Sequence, residues 1–173
     1  AKYENVRVTI PRTVVVATDY FDAFIRNNGL EYVLTTEMTD EEILSEFVSS
    51  TLPYKLREAL KAYVRTVSGP LAVRSSSKLE DSHYQPFAGI YMIPYTEGNE
   101  DRQLRLLQKA IKSVYASTYF AASKAYVQSS QNLIAEEKMA VVIQEVCGTE
   151  QDGLFFPTLS GVARSINYYP IGD

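Results

Sequence analysis

The sequence predicts an α+β fold, with mixed or antiparallel sheets flanked by helices. Short apolar and β-branched runs are interspersed with stretches of helical spacing, but without the strict alternation of a doubly wound sheet. Returns near residues 87–95 and 139–168 read as hairpins. A stretch from about Glu100 to Gln128 carries no proline or glycine and reads as one long helix. A chain of 173 residues has room for one domain or two small lobes, and for a real core.

The elements follow in order. Val6 to Ile10 alternates apolar and polar side chains, as a half-buried strand does, and Pro11 interrupts it. Thr13 to Ala17 is β-branched and reads as a second strand. Thr18 is the expected N-cap of a helix over Asp19 to Asn27, with Tyr20, Phe21, Phe24 and Ile25 on one face. Asn28-Gly29 ends that helix. Thr39 and Glu42 have capping-box spacing ahead of Ile43, Leu44, Phe47 and Val48. Pro53 opens another helix, with Leu56, Leu60, Tyr63, Val64 and Val67 at helical spacing, and Ser68-Gly69-Pro70 stops it.

Leu71-Ala72-Val73 then reads as a buried strand. Phe87 to Tyr95 reads as a strand with Pro94 at its edge or end. Leu104, Leu107, Ile111, Val114, Tyr115 and Tyr119 lead the apolar stripe of the long helix, and that stripe is core. Met139 to Val146, Leu154 to Phe156 and Val162 to Tyr169 complete the set of strands. The many tyrosines are expected to keep their hydroxyls at the surface or hydrogen-bonded.

The chemistry concentrates between Leu71 and Tyr91, LAVRSSSKLEDSHYQPFAGIY. Arg74 is expected at the strand exit, where its side chain can reach into a cleft. Ser75, Ser76 and Ser77 offer hydroxyls and backbone N–H groups in a small-residue turn, a surface that accepts phosphate oxygens. A guanidinium adds a planar fork that pairs with phosphate. The run reads as a polyphosphate cradle, though it is neither a Walker A loop nor a dinucleotide fingerprint. The same residues also fit an ordinary solvated turn in which Arg74 pairs with Glu80 or Asp81.

The string VRSSSKLED followed by FAG resembles the nucleotide-binding domain of the phosphoenolpyruvate synthase and pyruvate phosphate dikinase family, whose relatives include rifampicin phosphotransferases and glucan water dikinases. IPRTVVVATDYFDAFIRNNGL resembles the family's Val-Pro strand, second strand and following helix. LLQKAIKSVYAS resembles its long helix, and MAVVIQEVCG its strand into the adenine pocket. The resemblance covers nearly the whole chain. It implies part of an ATP-grasp fold over residues 1–173, in which two lobes clasp ATP between antiparallel sheets.

By the same resemblance Arg74 contacts the ATP phosphates, and Ser75 and Ser76 line the phosphate path. Phe87-Ala88-Gly89 closes the loop, with Gly89 permitting close backbone approach. Gln144, Glu145 and Val146 match the hinge beside adenine, where backbone groups read the base edge. A solvated strand end is the alternative for Gln144 and Glu145.

Departures are visible. Ser77-Lys78-Leu79 stands where the family carries Ala-Thr-Ala, and Ser82-His83-Tyr84 replaces its Leu-Pro-Asp. Ile90 stands in place of a glutamine. Lys78 sits near the phosphate path or faces solvent. His83 is expected to be a loop residue, because the family's phosphorylated histidine lies on a separate swivelling domain.

The family's Gly-Gly-Lys segment, its magnesium ligands, its histidine-bearing domain and its pyruvate-binding domain are expected outside this sequence. The expectation is therefore a domain truncated at both ends, inactive alone, whose parent uses ATP and Mg2+ to carry phosphate through a histidine to pyruvate. Another acceptor, such as an antibiotic or a glucan, and a non-catalytic interaction module that keeps the fold are the alternatives.

Composition limits the partners. Net charge is −4 with acids and bases mixed, so no basic stripe points to nucleic acid. No apolar run approaches the length of a membrane span. Cys147 is the single cysteine, which excludes an internal disulfide and fits a reducing cytoplasm. At the end of an apolar run it is expected to be a small buried hydrophobe. His83, the single histidine, is not expected to make a metal cluster or an ordinary catalytic triad.

Overall fold

The structure, a computed structural model, describes residues 8–77, 91–95, 97–121, 123, 138–152, 154–161, 163 and 165–166. It is α+β, with antiparallel sheets and helices on one face. β1 (Thr13–Val16) leads into α1 (Thr18–Asn28). A 3₁₀ turn over Leu30–Leu34 is followed by α2 (Asp40–Ser49) and α3 (Tyr54–Val64). β2 (Leu71–Ser76), β3 (Tyr91–Ile93), α4 (Glu100–Ser117) and β4 (Ala140–Glu145) follow. A hairpin of β5 (Thr149–Gln151) and β6 (Leu154–Phe156) comes next.

The four-stranded sheet runs in the order β1-β4-β2-β3, every pair antiparallel. Its register aligns Val14, Ile143, Val73 and Tyr91 in one row, and Thr13, Gln144, Ala72 and Met92 in the next. Strand side chains alternate between faces, so these rows lie on opposite sides of the sheet. Leu71, Val73, Val141 and Ile143 are fully buried against the helices. Val15 and Met92 on the other face are more than half exposed.

α4 is the spine of the helical layer. It packs on β2 and β3, and α2 and α3 pack on it. Its stripe meets an aromatic cluster: Tyr115 lies edge-on to Phe21 at 5.1 Å, and Phe24 sits 5.4 Å from Tyr115 and 5.7 Å from Phe47. Lys112 reaches from α4 to the last carbonyls of α2, donating to Val48 and, at 3.1 Å, to Ser50. A cation there satisfies orphan acceptors at the negative helix end. Two tyrosines depart from expectation, since the hydroxyls of Tyr63 and Tyr115 are buried without a hydrogen-bond partner among the described residues. Ring burial in the core outweighs the lost partner at Tyr115, whose pKa burial and then Asp19 push up.

Most predicted boundaries hold within a residue or two. Residues 8–10 are not a strand; Val8 and Ile10 are 88% and 90% exposed and pair with no strand among the described residues. Thr18 is the first residue of α1 rather than its cap. A single extended residue, Ala17, separates strand from helix and serves as N-cap with no side-chain bond. The long helix ends at Ser117 instead of Gln128. There the i−4 ladder gives way to i−3 bonds, from Tyr119 N–H to the Ala116 carbonyl and from Phe120 N–H to that of Ser117. Ser123 Oγ donates to the Ser117 carbonyl, and Ala121 N–H donates to Asp40 Oδ1 across the layer. The predicted strand from Val162 to Tyr169 falls largely outside the described residues, and positions 163, 165 and 166 are not in a strand.

Candidate functional site

Antiparallel pairing brings the starts of β1 and β2 to the same sheet edge as the ends of β3 and β4. Four chain segments leave the sheet there. Pro11-Arg12 precedes β1, Ser68-Gly69-Pro70 precedes β2, Pro94-Tyr95 follows β3, and Val146-Cys147-Gly148 follows β4. The β5–β6 hairpin closes the other side through Glu150 and Phe155. Between them lies an open cleft of about 900 Å³.

Its walls mix apolar side chains, Ile10, Pro11, Pro70, Pro94, Tyr95 and Phe155 among them, with nearly as much polar surface. Thr9, Ser68 and Glu150 contribute to the polar part, and Arg12 and Glu145 form a charged pair within it. The Arg12 Nε lies 3.9 Å from Glu145 Oε2, and its Nη1 donates to the Thr66 carbonyl. Glu145 N–H donates to the Arg12 carbonyl at 2.9 Å, and Val146 N–H donates to the Pro70 carbonyl at 2.9 Å. The buried Tyr63 hydroxyl belongs to the same cluster. Burial, then the Glu145 carboxylate, raises its pKa, and the Arg12 cation pulls it back.

The sequence-predicted residues divide between two faces. The strand does not exit at Val73; it runs through Arg74 to Ser76, paired with β4 as far as Ser76 opposite Ala140. Arg74 and Ser76 therefore project from the open face, with Gln144 on the neighbouring strand. Arg74 is exposed and takes part in no ion pair among the described residues. Gln144 Nε2 donates to Thr13 Oγ1 at 3.0 Å, which fixes its amide on that face. Ser75 is turned to the core, 5% exposed, in the row of Val16 and Val141. Glu145 shares the core-side parity of Leu71 but lies at the sheet edge, where it opens into the cleft with Val146.

Gly89, Phe87, Ala88, Lys78 and His83 lie outside the described residues, as do Glu80 and Asp81. Cys147 is exposed rather than buried. β4 ends before it, and Cys147 lines the cleft.

Sequence reading missed Arg12, Tyr95 and Phe155. The signal was present in the proline and glycine punctuation at the strand ends, which an antiparallel register gathers at one edge.

Residues 2–171 match the family model of the pyruvate phosphate dikinase AMP/ATP-binding domain. The chain belongs to that family. It is an ATP-binding domain of the pyruvate phosphate dikinase type, as the VRSSSKLED and FAG segments led one to expect. An uncharacterized phosphotransferase of Bacillus subtilis (strain 168), YvkC, is 30% identical over 154 residues, covering 85% of this chain. The chain spans 17% of that relative's length.

Among the described residues no group of three or more His, Cys, Asp or Glu side chains could hold a metal ion. No described helix is long and apolar enough to cross a membrane.

Proposed function

We propose that this dikinase-type domain is part of an ATP-grasp unit that holds ATP for phosphoryl transfer. The base lies in the cleft at the hinge, and the phosphates run along the open face of the sheet toward Arg74. In the full-length protein the phosphoryl group passes to a histidine on another domain and then to pyruvate. The observation that carries this reading is the placement of Arg74. It stands exposed on the strand next to the hinge strand, opposite Val142, on the face that Gln144 shares. Pro70, on the cleft wall, is four residues upstream, about 13 Å along an extended strand. That is the order of length of an extended nucleoside triphosphate.

Each residue then has a task. The Arg74 guanidinium neutralises charge that builds on the transferring phosphoryl group. Ser76 Oγ donates to a phosphate oxygen from the same face. Ser75 supports the sheet from behind. Family membership and a phosphotransferase relative support the reaction class.

The test is ATP-dependent phosphorylation of the full-length protein, followed with γ-labelled ATP. Arg74→Ala should slow phosphorylation by on the order of a hundred- to thousandfold, about 3 to 4 kcal/mol. It should weaken ATP binding less, because the interaction matters most in the transition state. Arg74→Lys should restore only part, keeping charge without the fork. A wild-type rate in Arg74→Ala would make Arg74 a surface residue of the sheet and end this reading.

A further inference from the structure

We propose that the Arg12–Glu145 side-chain pair reads the edge of the base and selects adenine over guanine. The inference rests on the nucleotide reading above and adds a residue that reading does not use. It adds side-chain discrimination to whatever the hinge backbone supplies. The backbone N–H groups of Glu145 and Val146 are already engaged, with the carbonyls of Arg12 and Pro70.

The pair has the geometry for this. Both side chains line the cleft, where prolines, Tyr95 and Phe155 give a heterocycle apolar surface to lie against. Arg12 spends Nη1 on the Thr66 carbonyl and keeps Nε 3.9 Å from the carboxylate. Its side chain remains 62% exposed, so guanidinium donors are left over for a ligand. Glu145 is 21% exposed and is an acceptor only. A fixed donor beside a fixed acceptor matches the Hoogsteen edge of adenine, where N7 accepts and the N6 amine donates. Guanine presents two acceptors there, N7 and O6, so its O6 would face the carboxylate. That clash of acceptors is the selective element.

Arg12 also ties the segment before β1 to the turn before β2, so a merely bracing role must be separated from a reading role. Binding of ATP, GTP and inorganic tripolyphosphate to the full-length protein, measured by calorimetry, does so. The wild type should prefer ATP to GTP. Arg12→Ala should weaken ATP about tenfold or more and GTP far less, leaving tripolyphosphate unchanged. Arg12→Lys should fall between. Glu145→Gln, which gains an N–H donor, should raise GTP affinity relative to ATP even if Arg12→Ala proves too unstable to assay. Equal loss for ATP and GTP, or no change for either, would reduce Arg12 to a brace and overturn the proposal. Wild-type protein that binds ATP no more tightly than tripolyphosphate would overturn the cleft as a base site, and this inference with it.

Discussion

Successive side chains on a strand point to opposite faces, and this divides the Arg74-Ser75-Ser76 run. Read as a turn, the three offer their polar groups together. Built into β2, only Arg74 and Ser76 share the open face, while Ser75 is buried among Val16 and Val141. The serines should therefore behave differently. Ser75→Ala should cost about 1 kcal/mol of folding stability, as loss of a buried hydroxyl's interaction does, and leave ATP affinity unchanged. Ser76→Ala should leave the denaturation midpoint nearly unchanged and weaken ATP several-fold. Urea titration and calorimetry on the same pair of variants check both. A Ser75→Ala variant that loses affinity at unchanged stability would mean that Ser75, not its neighbour, faces the phosphates.

Helix α2 shows how a local signal becomes an element. Thr39 Oγ1 accepts from Glu42 N–H at 3.2 Å, and Thr39 N–H donates to Glu42 Oε2 at 2.8 Å. The reciprocal pair closes the first turn, where four N–H groups otherwise lack partners. The Glu42 carboxyl titrates below its ordinary 4.5, first because of the Thr39 backbone N–H and then because of its hydroxyl. A folded pKa below the unfolded one gives stability that is present above the unfolded value. It is lost as pH falls through the folded value. Thr39→Ala should destabilise the protein by about 1 kcal/mol at neutral pH. The Glu42 midpoint should move only part of the way back to 4.5, because the alanine keeps the backbone donor. Carboxyl-detected NMR titration reads the shift. A midpoint that does not move would mean the hydroxyl plays no part in holding the carboxylate.

At the scale of the molecule the decisive feature is the approach of the β5–β6 hairpin to the hinge. A Cβ on Gly148 would lie 2.8 Å from the Phe156 carbonyl carbon and 2.9 Å from its oxygen. Backbone atoms cannot rotate away, so the hairpin itself must shift. Gly148 and Phe155 both line the cleft, and the shift would reshape it. Gly148→Ala should cost about 1 to 3 kcal/mol and weaken ATP binding together with stability. Amide exchange should quicken in β5 and β6 while the four-stranded sheet keeps its protection. Unchanged exchange in the hairpin would show that the close approach is not maintained in solution.

Elements whose identity depends on local chemistry were legible in the sequence. The capping box at Thr39, the glycine that ends α1 in a left-handed conformation, Pro53 before α3 and the apolar stripe of α4 act over a few residues of chain. The family resemblance was legible for the same reason, since VRSSSKLED and MAVVIQEVCG are continuous strings. What depends on partners far along the chain was not. Arg12 meets Glu145 because β1 pairs with β4. α4 stops at Ser117 as Asp40, from another helix, takes the Ala121 N–H. Cys147 is exposed because β4 has ended before it and the chain there opens into the cleft. Sequence sets the preference of each segment for helix or strand. Register decides which strand ends meet, and only that meeting makes the cleft.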